Sequence, residues 1–331
     1  MKKSIVIGVV LIFALFSFTA CAKKTAAPKA GSAKADDMLS LIPKDVGGIF
    51  FIDFHRVMGI EAVSKALNEN KDNKEYQEFI EKTGIDPQKD IYFIAGGVSA
   101  EMEKSKQKAV VIINLKYNKD SLFPLVKEKI GKEEELKEEE YNGFKIYTGQ
   151  KGEGGPGFCF VDNSNIVAGD AAEVKSVLDI LQKKGENVFK NEPLSALIAK
   201  TNKEALLWGT TLIPPELMDK ITSTNPMLSA LKALNATSFY FDYRDENIMA
   251  EIKGMSSDAS KNQEIADYLN NLKTMGSLMT IQNFNLGEVL DKIEITSGPD
   301  YVRISISFPE SFIEELKTKF TKPEKEATEK K

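Results

Sequence analysis

The sequence is poor in the residues that usually build reactive sites. Its 331 residues include one His (His55), two Cys (Cys21 and Cys159) and one Trp (Trp208). One His excludes a site with several His ligands, and two Cys exclude a four-thiolate zinc site or a disulfide framework. Only three of the 44 basic residues are Arg. Because Arg is the residue suited to bidentate phosphate contacts, and because the net charge is −5, nucleic acid is not an expected partner.

What remains is typical of a folded chain. The composition is 42% hydrophobic and 28% charged, which differs from that of disordered proteins. The length suits one large domain or two ordinary ones, each able to bury a core.

The first twenty residues have the pattern of a signal peptide. Lys2 and Lys3 precede an apolar run over residues 4–18, which is shorter than the roughly 20 residues needed to cross a bilayer. The run ends in Thr19-Ala20-Cys21, which resembles the bacterial lipobox, although Phe18 stands where Leu, Val or Ile is usual. The alternatives are an ordinary signal peptide with an incidental Cys, or an uncleaved anchor. We predict cleavage after residue 20 and lipidation of Cys21.

This prediction defines how the chain meets a membrane. Two or three acyl chains on Cys21 anchor a protein stably in the lipid bilayer. We therefore expect a cell-envelope location, outside the cytoplasmic membrane or on an outer membrane. Residues 21–37 read as the lipidated Cys with a flexible tether of roughly 20–25 Å, and residues 322–331 as a charged tail. Cys159 is left as the single thiol of the mature chain.

The remaining residues alternate between strand and helix patterns. The order predicts an α+β protein with two ferredoxin-like lobes, residues 38–202 and 203–321, each a mostly antiparallel sheet with helices on one face. Some strands, such as 110–113, are apolar at every position, which we attribute to packing between the sheets or their helices. Asp258 is a predicted N-cap of a helix to about residue 275, and residues 244–247 a predicted hairpin turn.

Several motifs have a catalytic or ligand-binding interpretation, and in each a structural one is favoured. His55 lies two residues after Asp53, as in an oriented general base, but no nucleophile motif accompanies it. The glycine-rich stretch 149–157 precedes a strand rather than a helix, so it is a hairpin connection and not a phosphate cradle.

The acidic and apolar motifs have similarly plain interpretations. The run 132–140 lacks the spacing of a calcium loop and predicts a solvated helix or loop. Residues 162–165 predict a tight turn between strands. Cys159 is a predicted buried thiol, and Trp208 and the aromatic strands are predicted core.

A family resemblance rests on three segments. Residues 41–45 (LIPKD) precede a hydrophobic strand, residues 141–147 (YNGFKIY) follow, and residues 167–170 (VAGD) precede a helix. These segments resemble an uncharacterised family of bacterial exported proteins, mainly over residues 39–214. The resemblance implies location and fold, and carries no catalytic residues.

We predict no catalytic residues, no metal site and no cofactor. The expected function is a non-catalytic binding or envelope-assembly module, whose partner is an unidentified envelope protein or ligand. One alternative is a carboxylate-dependent hydrolase of envelope material; the sequence shows no carboxylate pair, and two facing carboxylates in a cleft, one with a raised pKa, would favour this alternative. Another is a carrier of an apolar ligand in a cleft between the lobes.

Overall fold

A computed structural model describes residues 29–32, 34–68, 74–101, 107–130, 136–149, 155–224, 226–281, 284–313 and 315–316. The predicted signal peptide, Cys21, the first part of the tether and the charged tail lie outside these residues. The chain divides into two compact units, Met1–Leu212 and Ile213–Lys331. They are called unit 1 and unit 2 and are described separately.

Unit 1 contains an antiparallel sheet built from two meanders. Its strands are β1 (Gly48–Asp53), β2 (Ile91–Val98), β3 (Ala109–Leu115), β4 (Lys137–Tyr141), β5 (Phe144–Thr148), β6 (Pro156–Phe160), β7 (Asn165–Asp170) and β8 (Leu207–Leu212). They lie in the order β8-β1-β2-β3-β7-β6-β5-β4. Asn142 and Gly143, with φ of 51° and 74°, form the two-residue turn between β4 and β5, a conformation that Asn-Gly adopts readily.

Helices connect these strands. They are α1 (Ala35–Leu39), α2 (Phe54–Met58), α3 (Glu61–Asn68), α4 (Lys74–Thr83), α5 (Pro87–Asp90), α6 (Lys119–Ile130), α7 (Ala171–Leu181) and α8 (Glu192–Lys200). Local capping explains several starts. The Asp53 side chain accepts the Arg56 amide at α2, and the Asp86 side chain accepts the Gln88 amide at α5, which satisfies donors that a helix start leaves free.

Unit 1 buries apolar side chains on both faces of its sheet. On one face, Ile113 and Ile166 belong to a core that includes residues of α4 and α6. The neighbouring Ile112 and Val167 are fully buried as well, and alternation along a strand directs them to the opposite face, where α7 packs against β5, β6 and β7. We expected helices on one face only. Strands that are apolar at every position require a cover on both.

Unit 2 has a smaller antiparallel sheet. Its strands are β9 (Ala236–Arg244), β10 (Asn247–Met255), β13 (Ile293–Ser297) and β14 (Tyr301–Pro309), in the order β13-β14-β10-β9, with β11 (Thr280–Ile281) and β12 (Phe284–Asn285) as a separate pair. Its helices are α9 (Pro215–Thr224), α10 (Ala259–Ser277), α11 (Gly287–Leu290) and a 3₁₀ segment, Pro226–Ala233. Ile265 and Ala266 of α10 form a core with Ala230 and Val302.

The predicted α+β class with antiparallel sheets is confirmed. So are the hairpin turn between β9 and β10 and the helix that Asp258 caps by accepting the Lys261 amide. The connections differ from a ferredoxin-like lobe, in which a helical crossover skips one strand, because most strands here neighbour the next strand in sequence.

One boundary and one secondary-structure element differ from the expectation. We expected the second lobe to begin at residue 203, but β8 pairs with β1 and the division falls after Leu212. Residues 137–140 of the acidic run lie in strand β4 rather than in a helix or loop. Pairing with β5 places Glu138 beside Lys145 and the Tyr147 hydroxyl, so cross-strand contacts outweigh the low strand propensity of Glu.

Candidate functional site

Unit 1 carries an open cavity of about 540 Å³ at one end of its sheet. This volume is within the range of small-molecule sites. Its lining brings together four separate parts of the chain, and the lining residues include Asp45, Gly97, Ser99, Glu101, Lys108 and Glu173.

Close packing between β2 and the segment before β1 shapes one wall. A Cβ placed on Gly97 would lie 2.7 Å from Ile42 Cγ2 and 2.8 Å from Val46 Cγ1, so only glycine lets the segment approach this closely. Across the ladder, the Lys108 amide donates to Ser99 Oγ at 2.9 Å. These contacts hold Asp45 and Lys108 at the same end of the sheet.

Helix α7 supplies the most enclosed carboxylate of the cavity. Glu173 lies in the first turn of α7, its side chain is 16% exposed, and its Oε1 is 3.7 Å from Lys108 Nζ. Burial raises the pKa of Glu173; the negative charge of Asp170 and Asp45 adds to this, and Lys108 opposes it. Asp170 is fixed because its Oδ2 accepts the Ala109 amide at 2.7 Å.

Among the described residues that line the cavity, carboxylates outnumber ammonium groups. They are the carboxylates of Asp45, Glu101 and Glu173 and the ammonium of Lys108. Such a cavity suits a polar ligand that carries a cationic or amine group. Among the described residues, no group of three or more His, Cys, Asp or Glu side chains has the arrangement of a metal site.

The structure separates the Asp53 and His55 pair considered from the sequence. Asp53 Oδ1 accepts the Arg56 amide at 3.0 Å, and its Oδ2 lies 3.7 Å from Arg56 Nη1. The His55 ring instead lies 5.6 Å from the ring of Tyr92. Asp53 is thus a helix cap, and no general-base arrangement forms here.

Other candidates behave as structural residues. Cys159 and Trp208 are fully buried, as predicted. Asp162 Oδ1 accepts the amides of Ser164 and Asn165 at 2.7 and 2.9 Å, which confirms the predicted turn. The glycine-rich stretch 149–157 is described only at its two ends, so its centre lies outside the described residues.

Unit 2 exposes an apolar surface at the end of α10. Leu272 is 46% exposed, Met275 68%, Met279 56% and Leu278 84%. Large apolar side chains grouped in this way often mark interaction surfaces. Over the part of the chain that the structure describes, no helix has the length and apolarity needed to span a membrane.

Sequence reasoning missed the cavity and its charged residues. Asp45, Lys108 and Glu173 stand in three separate segments, and none belongs to a motif typical of a binding site, although Asp45 ends the LIPKD segment. The one available signal was the residue pattern before α7, in which Asp170 precedes a helix whose first turn contains Glu173. That pattern predicts a helix start and contains no information about a cavity.

Comparison with known proteins gives structural neighbours alone. No family model and no curated protein matches the chain. Among solved structures, crystal form III of TP0453 has a TM-score of 0.48 at 9% identity, and crystal form I has 0.46 at 11%, each covering 85% of this chain and 97% of that one. Crystal form IV has 0.43 at 8%, covering 85% and 96%. Identities this low are too small to bear on function.

Proposed function

We propose that the chain is a bacterial envelope lipoprotein, anchored through acylated Cys21, whose folded part is a non-catalytic module that binds a small polar ligand. The cavity of unit 1 carries this proposal. It has the volume of a ligand site, and the described part of its lining has three carboxylates and one ammonium. Backbone polar groups and glycine packing hold its walls in place, so little ordering is required on binding.

Calorimetry and thermal unfolding with a cationic probe test the binding site. The chain from residue 21 onward, made without acyl chains, is titrated with spermidine, and citrate serves as a control of opposite charge. At ten times Kd, spermidine should stabilise the protein by about 1.4 kcal/mol, or roughly 3–6 °C in Tm. Citrate should have no effect.

Matched variants locate the binding. Glu173→Gln removes a charge inside the cavity, whereas Glu216→Gln removes one at an exposed position of unit 2. Glu173→Gln should weaken spermidine binding and Glu216→Gln should not. Equal binding to both variants, or none to the parent protein, would contradict a binding role for the cavity.

Lipid labelling tests the anchor. Cells that express the full-length chain are grown with a clickable fatty acid, and the protein is followed in membrane and soluble fractions. The parent chain should carry the label and sediment with membranes, while Cys21→Ala should lose both properties. A labelled Cys21→Ala protein would contradict the proposed anchor, because the fatty acid would then be attached at another residue.

A second candidate is the carboxylate-dependent hydrolase. One observation favours it: the cavity contains a carboxyl of raised pKa, Glu173, close to the negative charges of Asp170 and Asp45, as acid catalysis requires. Release of soluble sugars from purified cell-wall sacculi tests this role. Activity that Glu173→Gln abolishes and Glu216→Gln retains would replace the binding proposal with the enzymatic one.

A further inference from the structure

One end of unit 1 holds the chain segment that leads to Cys21. The Gly31 amide donates to Asn114 Oδ1 at 3.0 Å, and Asn114 Nδ2 donates to the Lys29 carbonyl at 3.4 Å. Asn114 is fully buried near the end of β3, and its Nδ2 also donates to Asn165 Oδ1 at 2.9 Å. Residues 29–31, which the sequence assigned to a flexible tether, therefore belong to the folded unit.

Gly31 makes this contact possible. Its φ is +70°, and a Cβ at this position would lie 3.0 Å from Cε1 of Tyr92. Both the backbone conformation and the closeness of the Tyr92 ring disfavour any larger residue. The backbone at residues 29–31 thus has one well-defined docking position beside β2 and β3.

The cavity lies at the opposite end of the same two strands. Lys108, which lines it, directly precedes β3, and Asn114 is six positions further along the chain. On β2, Tyr92 stands beside Gly31, whereas Gly97 lines the cavity, as does Ser99 directly after the strand. At about 3.3 Å per residue, the two ends are roughly 20 Å apart.

Because residues 29–31 are docked, few residues separate Cys21 from the folded part of unit 1. Residues 22–28 separate the proposed acylation site, Cys21, from the first docked residue, Lys29. The eight Cα–Cα steps from Cys21 to Lys29 can span at most about 26–29 Å. If residues 29–34 were undocked as well, the extended length would rise to about 46–50 Å.

The short chain between Cys21 and Lys29 favours one orientation of unit 1 on the membrane. Turning the cavity towards the bilayer would require Lys29 to stand about 20 Å from the lipid surface, which is most of the about 26–29 Å that the chain from Cys21 can reach. The opposite orientation requires no such extension.

We infer that unit 1 stands on the membrane with its Asn114 end against the lipid headgroups and its cavity directed away from them. The cavity then receives a water-soluble ligand rather than a lipid of the anchoring leaflet. This inference rests on the proposed anchor at Cys21 and adds the surface that faces the membrane.

Energy transfer to labelled lipid tests the orientation. The chain from Cys21 to Lys331 is coupled through Cys21 to maleimide lipid in phosphatidylcholine vesicles; Cys159 is buried and protected. An azido amino acid carries a donor fluorophore at position 163 or at position 100, both exposed, near the Asn114 end and the cavity end respectively. Transfer to headgroup-labelled acceptor lipid should be at least about two-fold stronger from position 163. Equal transfer, or stronger transfer from position 100, overturns the inference.

Two variants test the docked segment, residues 29–31. Asn114→Ala removes the buried amide, and Gly31→Val should displace residues 29–31, because its side chain would meet the Tyr92 ring. Each should reduce the difference between the two positions, while Asn202→Ala, at an exposed turn of unit 1, should preserve it. A difference that Gly31→Val leaves unchanged would show that the docked segment does not set the orientation. In this experiment Cys21 is coupled to lipid chemically, so the result does not depend on acylation in cells. Acylation in cells is tested separately, by fatty-acid labelling of Cys21→Ala.

Discussion

The sheets of the two units differ in how their faces are covered. In unit 1, the central strands are apolar at successive positions, and helices cover both faces. In unit 2, the rows across the sheet alternate. One cross-strand row is Phe239, Ile252, Ile304 and Ile295, and the next is Tyr240, Glu251, Ser305 and Glu294.

The difference shows how strand composition decides where helices must lie. A strand with alternating apolar and polar side chains needs packed helices on one face only. In unit 2, α10 and the 3₁₀ segment cover part of that face, and Ile252 on it remains 56% exposed. A strand that is apolar on both faces needs two covers. Four predictions compare residues of the two units, from the largest expected effect to the smallest.

The first concerns the same residue type in the two sheets. Ile112 of unit 1 is fully buried, whereas Ile252 of unit 2 is 56% exposed. Ile112→Ala should lower the free energy of unfolding by about 2–5 kcal/mol through lost burial and a cavity, and Ile252→Ala by less than about 1 kcal/mol. Urea unfolding of both variants measures this. Similar losses would mean that the exposed face of unit 2 is covered in solution.

The second compares two fully buried amides. Asn114 Oδ1 accepts the Gly31 amide, and its Nδ2 donates to Asn165. Asn262 donates to the carbonyls of Ser256 and Gly298, but its own Oδ1 has no partner among the described residues. Asn114→Ala should cost about 1–3 kcal/mol, and Asn262→Ala less, because it also removes a buried oxygen that lacks a hydrogen bond. Urea unfolding of both variants measures the loss in free energy of unfolding. A larger loss for Asn262→Ala than for Asn114→Ala would contradict this account.

The third uses the pH dependence of the cavity. Since burial raises the pKa of Glu173, the folded protein holds this proton more tightly than the unfolded chain. The contribution of Glu173 to stability is full below its unfolded pKa and is lost as the pH rises through the folded pKa. Unfolding between about pH 4 and 7 should show a downward trend that Glu173→Gln reduces and Glu216→Gln leaves unchanged. An unaltered trend in Glu173→Gln would assign it to other groups.

The fourth concerns edge strands, where the two units should behave alike. Glu139 of β4 lies 2.9 Å from Lys175, and Glu294 of β13 lies 3.3 Å from Arg303. Glu139→Gln and Glu294→Gln should each change stability by about 0–1 kcal/mol, because both carboxylates are solvent-exposed. High salt should reduce either effect further. A loss well above this range in one variant would reveal an edge contact of structural importance.

Local features were predictable because few neighbouring residues decide them. The cap at Asp258, the Asx turn at Asp162 and the turn between β9 and β10 each depend on side chains within a few positions. The β4 strand was not predictable in this way. Its Glu-rich sequence favours a solvated helix or loop, and only its pairing with Lys145 and Tyr147 makes it a strand.

The candidate site was unpredictable for the same reason. Its charged residues come from segments up to 128 positions apart, as between Asp45 and Glu173. The sequence did exclude alternatives: with one His and two Cys, sites built from several His ligands, four-thiolate zinc sites and disulfide frameworks are excluded at any geometry.

The sequence by itself determined the α+β class and the burial of Cys159, and it predicts acylation at Cys21, since composition and short motifs carry this information. The tertiary structure alone decided that helices lie on both faces of the unit 1 sheet, that Asn114 docks residues 29–31, and that the cavity stands at the far end of the same strands. These features depend on which distant segments meet, and that choice follows from packing the whole apolar surface at once.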